Sequence, residues 1–172
     1  MYCNQTPVHT ASLASTPALS PALTTSHNTQ AMPLQLAYCS GLFDGDGCVG
    51  ISRQQQLGRK NVSYRLTVSL VQNDFPTIQF FRDVLGVQHC LVEVRRSKSH
   101  NRQIYELRYD GRHALTALHM MLPYLVRKRI EAEVATDFWT VCQMGVMPGP
   151  KGLPKQVWKD RASFFTKMRK LK

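Results

Sequence analysis

Along residues 48–53 and 64–70 apolar and polar side chains alternate, with Val49 and Ile51 on one side of the first run and Tyr64, Leu66, Val68 and Leu70 on one side of the second. A period of two is that of a half-buried strand, and the polar, Gly-containing stretch 55–61 joins the pair. Before them, residues 34–43 read as a short helix with Pro33 in its first turn, ended by the two glycines of 44–47. After them, Asp74 is placed to cap a helix over 76–85 that Gly86 stops. Two more alternating runs, 90–96 and 103–109, flank the polar turn 97–102. The order is helix, strand, strand, helix, strand, strand. Residues 112–140 are helical in two pieces, the second expected to start at Pro123, and 144–154 carry the Pro and Gly of a loop. The amphipathic segment 155–172 sets Val157, Trp158, Phe164, Phe165 and Met168 against a basic remainder, a helix expected to pack on the domain.

The chain of 172 residues has room for one core, and its 43% hydrophobic residues are enough to build it. Residues 1–32 are set apart: of the first 31, 18 are Ser, Thr, Pro or Ala and none is charged, so a disordered leader is expected before a domain over 33–143. That leader has no Arg and no apolar run, so neither a transit peptide nor a secretory signal is expected, and no stretch is long enough to span a membrane. Lys and Arg number 22, all from Arg53 onward, against 11 Asp and Glu, which points to a polyanionic partner. The five scattered cysteines lack zinc-ligand spacing, and Cys39 and Cys48 are expected as core thiols in a reducing compartment.

The segment Cys39-Ser-Gly-Leu-Phe-Asp-Gly-Asp-Gly47 resembles the signature of the LAGLIDADG homing endonucleases, matching at Gly41, Leu42, Asp44, Asp46 and Gly47. No Glu follows at the spacing of a calcium-binding EF-hand. The resemblance covers residues 34–140. It implies an α+β fold in αββαββα order, with a four-stranded antiparallel DNA-binding sheet and helices on its other face. It implies that Asp46 is a metal-binding carboxylate, that the carbonyl of Gly45 adds an oxygen ligand, and that Gln72 and Lys128 stand at the periphery of the active site. Mg2+ is the implied cofactor, with Mn2+ as a substitute. The arginine that often accompanies these residues has no match in 73–78.

On the signature helix Ala37, Ser40, Gly41 and Asp44 recur at helical spacing as one face of small residues, which lets two helices approach closely. Close approach would gather carboxylates that repel unless divalent cations lie among them. With a single copy of the motif, the expected unit is a homodimer on a nearly palindromic duplex. Strand parity sets Ser52, Gln54, Ser63, Arg65, Thr67, Ser69, Arg95 and Arg108 on the outer sheet face, suited to a major groove, with Glu93 and Glu106 in the same phase, and Arg59, Lys60, Lys98 and Arg102 in turns suited to phosphates. The resemblance further implies an intron-encoded protein of an organelle or a prokaryotic cytoplasm. An RNA-binding maturase and a non-cleaving DNA-binding protein are the alternatives on the same fold.

Overall fold

The register of the strands explains the architecture. In the computed structural model, which describes residues 27–55, 62–88, 91–95, 103–146 and 152–172, β1 (Gly47–Gln55) pairs antiparallel with β2 (Val62–Gln72) so that Val49 faces Val68 and Ile51 faces Leu66. β2 pairs with β4 (Ile104–Asp110), setting Val68 beside Tyr109 and Leu70 beside Leu107. β3 (Leu91–Arg95) completes a four-stranded antiparallel sheet of order β1-β2-β4-β3. All seven of those inward side chains are at most 5% exposed, so one sheet face is core and the alternation seen in the sequence is the alternation of burial.

The helices cover that face. They are α1 (His27–Asp46), α2 (Phe75–Leu85), α3 (Arg112–Met121), α4 (Arg129–Cys142) and α5 (Lys155–Lys170), and they bring Phe43, Phe81, Leu118 and Phe138 into the same core. α2 starts where Asp74 accepts the Thr77 N–H at 3.0 Å and stops at Gly86, whose left-handed φ of 59° suits a residue without a side chain. Among the described residues no helix is long and apolar enough to cross a membrane.

Three expectations are corrected. α1 begins at His27, inside the stretch expected to be a leader, and runs through Pro33 rather than starting there; a proline forfeits one backbone bond and strains the helix but need not end it. Pro123 does not open α4: Leu122–Tyr124 form a 3-10 turn, Leu125 is extended, and α4 starts at Arg129. Cys48 is exposed, because it occupies the outward phase of β1 between inward residues, whereas Cys39 is buried as expected.

α5 packs on α4 and the β1 edge. Met168 is buried, the ring of Phe164 meets Phe138 at 6.0 Å, and that of Phe165 meets Tyr64 at 5.8 Å. The guanidinium of Arg161 is buried with them and donates to the Cys142 carbonyl through Nε (3.2 Å) and Nη2 (2.8 Å), satisfying a group at the end of α4 that has no partner in its own helix.

Candidate nuclease centre and DNA-facing sheet

Asp46 is the last residue of α1 and is exposed. Its position follows from Gly47, where helix passes directly into strand: a Cβ there would overlap the buried ring of Phe43, so no side chain fits. Because Gly47 pairs with Leu70, the end of β2 lies beside the end of α1, and Gln72 Nε2 donates to Asp46 Oδ2 at 2.6 Å. The amide holds one carboxylate oxygen. Oδ1 takes no part in that bond.

Asp44 faces the other way. Its Oδ2 accepts the N–H groups of Val126 (2.7 Å) and Arg127 (3.1 Å), and its Oδ1 that of Lys128 (2.9 Å). It thus caps the approach to α4 with a carboxylate from a helix more than eighty residues earlier. Partial burial pushes the Asp44 pKa up, but the three N–H bonds and the charge of Lys128 push it further down, and the net position is below the ordinary aspartate value. Lys128, 8% exposed, donates its Nζ to the Asp44 carbonyl at 2.7 Å, a cation at the negative end of α1. Gln72 thus touches Asp46, and Lys128 touches the same helix end at Asp44.

The small-residue face is redrawn. Ser40 is fully buried inside the chain, with its hydroxyl on the Leu36 carbonyl (2.7 Å) and facing that of Met121 (3.4 Å), and Asp44 is engaged as above. Neither is free to line a surface. The outward stripe of α1 is instead Leu34, Tyr38, Gly41 and Gly45, with Ala37 half-buried at its margin. A Cβ on Gly41 or Gly45 would meet nothing within 4 Å. Tyr38 leans edge-on to Phe80 of α2, and both rings are exposed.

On the sheet face away from the helices, the expected Ser52, Gln54, Ser63, Arg65, Thr67, Ser69 and Arg108 all occupy the outward phase, and none is buried. Ser52, Ser63 and Thr67 each donate a hydroxyl across the strands to the carbonyls of Arg65, Gln54 and Gly50, at 3.2 Å in each case, so their free lone pairs point outward as acceptors. Arg95 pairs with Ile104 at the end of β3. Arg59, Lys60, Lys98 and Arg102 lie outside the described residues. One outward residue was missed: Asp110, one residue beyond the expected end of its strand, lies against both Arg108 and Arg65. Extending the alternation past Tyr109 would have found it. Lys172 was also missed; its Nζ reaches Cys48 Sγ at 2.8 Å on the outward phase of β1.

Among the described residues no three His, Cys, Asp or Glu side chains come together. The donors at the end of α1, the Asp46 carboxylate and the Gly45 carbonyl, are hard oxygens that suit Mg2+, which keeps several waters and needs few protein ligands. They fit such an ion as a partial set of ligands.

An α+β chain with one antiparallel sheet, helices on one face, and a signature helix that ends in an exposed aspartate has the fold of the LAGLIDADG homing endonucleases. It is similar to the homing endonuclease I-CvuI, solved with target DNA in the presence of Mg, at 21% identity and a TM-score of 0.65 over 83% of this chain and 84% of that one. It is also similar to the archaeal intron-encoded homing endonuclease I-Vdi141I complexed with DNA, at 12% identity and a TM-score of 0.64 over 81% and 85%. The LAGLIDADG homing endonuclease I-SmaMI, bound to cleaved DNA, matches at 13% identity and a TM-score of 0.56, but 76% of this chain answers to only 42% of that one. No protein-family model and no curated protein matches the sequence.

Proposed function

We propose that the protein is a homodimeric, divalent-metal-dependent endonuclease, encoded within an intron, that cuts both strands of a pseudo-palindromic DNA site. The observation that carries this reading is the exposed Asp46 at the end of a helix whose outward stripe has glycines at 41 and 45. A glycine inside a helix costs about 1 kcal/mol relative to alanine, and among the described residues no neighbour within 4 Å requires either one. Close approach of a second helix gives them a reason, and that approach sets two Asp46 carboxylates together. The near-complete match to I-CvuI, against less than half of I-SmaMI, supports a unit that works in pairs.

The Asp46 carboxylate and the Gly45 carbonyl would hold Mg2+, which neutralises charge on the attacked phosphate and on the departing 3′-oxygen. Gln72 fixes the carboxylate through Oδ2, and its own carbonyl oxygen can orient a water. Lys128 brings a positive charge to the same helix end, where it favours a phosphate. The outer sheet face supplies Arg, Gln and hydroxyl groups to the major groove, and the basic balance of the chain supplies the affinity for phosphates.

Incubating the protein with a randomised duplex library in Mg2+ or in EDTA, beside an Asp46→Asn variant, tests this. Products sharing one pseudo-palindromic sequence, lost in EDTA and in the variant, are expected. Sedimentation of Gly41→Leu as a monomer, with the parent a dimer, is expected too. Binding confined to structured RNA without cleavage would refute the endonuclease and favour a maturase.

A further inference from the structure

The outward phase of β4 carries acids where an electrostatic surface for phosphates would have none: Glu106, which is buried, and Asp110, which is open to solvent. Asp110 ends β4, paired with Thr67 of β2, and is held there because the next residue, Gly111, turns with φ 59° while its N–H donates to the Leu66 carbonyl at 2.8 Å. Its Oδ1 accepts from Arg108 Nε at 3.0 Å, and its Oδ2 lies 3.7 Å from Arg65 Nη1. Arg108 and Arg65 come from different strands, and the carboxylate spans the gap between them. All three side chains are partly open to solvent, at 30% for Arg108, 37% for Asp110 and 56% for Arg65.

We infer that Asp110 is a specificity-determining residue, which sets the Arg108 and Arg65 guanidiniums to read base edges instead of phosphates. The inference rests on the duplex-DNA reading proposed above. Binding through Nε leaves the two Nη groups of Arg108 as an outward fork, the shape that pairs with the O6 and N7 of a guanine. A free arginine on a flexible stem would instead swing to the nearest phosphate, since phosphate is the stronger attractor and is present at every site. The carboxylate opposes this twice: it fixes the guanidinium, and its own charge repels the phosphate backbone. The device therefore lowers affinity for DNA in general and raises discrimination.

The register also gives the place of that reading. Ser69, the partner of Arg108, is three residues along β2 from Gln72, which touches Asp46. At about 3.4 Å per residue this is about 10 Å, the rise of about three base pairs of duplex. A guanine in each half-site about three base pairs from the cut is the expected target.

Selection from a randomised duplex library by the parent, Asp110→Asn and Arg108→Lys tests the idea, with binding measured across a salt series. Asn keeps the shape of the acid and removes its charge, and circular dichroism checks that the fold is kept. For Asp110→Asn the preference at one base pair in each half-site is expected to fall roughly tenfold to a hundredfold. Affinity for unselected duplex is expected to rise, with a salt slope steeper by about 0.9. Arg108→Lys should lose the same preference with the parent's slope. An Asp110→Asn variant whose base preferences match the parent's at every position, or weaken equally at all of them, would overturn the inference. A parent that selects no duplex would overturn the endonuclease reading and this inference with it, and that failure is visible before any variant is compared.

Discussion

Replacing Asp44 by Ala removes the acceptor of three N–H groups at 2.7, 3.1 and 2.9 Å and leaves the start of α4 without its cap. The cost is set by what happens to the donors. Val126 is 84% exposed, and Arg127 is exposed as well, so water replaces the carboxylate at those two groups. Lys128 is 8% exposed, so its N–H stays desolvated without a partner, which costs about 1–3 kcal/mol. Loss of a negative charge at a helix start adds about 0.5 kcal/mol. A total near 2–3 kcal/mol lowers the melting temperature by about 5–10 °C for a domain of this size. The pH dependence has a definite sign. The folded-state pKa of Asp44 is depressed, so its contribution is fully present above the unfolded value of about 3.9 and is lost as pH falls through the folded value. Thermal unfolding of parent and Asp44→Ala by circular dichroism should show the full gap at pH 7 and a shrinking one below about pH 4. An equal melting temperature at pH 7, or a gap that persists undiminished in acid, refutes the cap.

Two substitutions probe what positions the centre from either side. Gly47→Ala forces a methyl group into the Phe43 ring; it should cost about 1–3 kcal/mol in chemical denaturation and abolish the proposed cleavage, because the helix end that carries Asp46 must move. Arg161→Ala removes both bonds to the Cys142 carbonyl and the anchor of α5, with an expected loss of about 2–3 kcal/mol and early proteolysis of α5, whereas a surface arginine such as Arg53 should tolerate the same change.

The strands were legible because each has one buried face, so period two and burial are the same signal, as Leu66, Val68 and Leu70 show. Helix α2 was legible from its caps, Asp74 and Gly86. What could not be read was set by partners far along the chain. Asp44 looked like one of a row of small interface residues until the 126–128 backbone came to meet it. Ser40 shared the phase of Gly41 on paper, yet one helical position separates a serine buried against the Met121 carbonyl from a glycine open to solvent. Pro123 is a common helix opener, but the chain spends the next residues reaching Asp44 before α4 can begin. In α1 the turns before Pro33 carry no apolar stripe, so periodicity was silent there.

The bonds between Asp44 and the 126–128 backbone have a bearing on how the protein is made. A chain emerging from the ribosome completes α1 early, yet the end of that helix is secured only when residues more than eighty positions later have been synthesised and folded back. Contacts of such long sequence separation form late, because the loop between them must first be closed. The last turn of α1 at Asp44 is therefore locked late, after the shorter-range contacts of Gly47 and Gln72 have already placed Asp46 beside it.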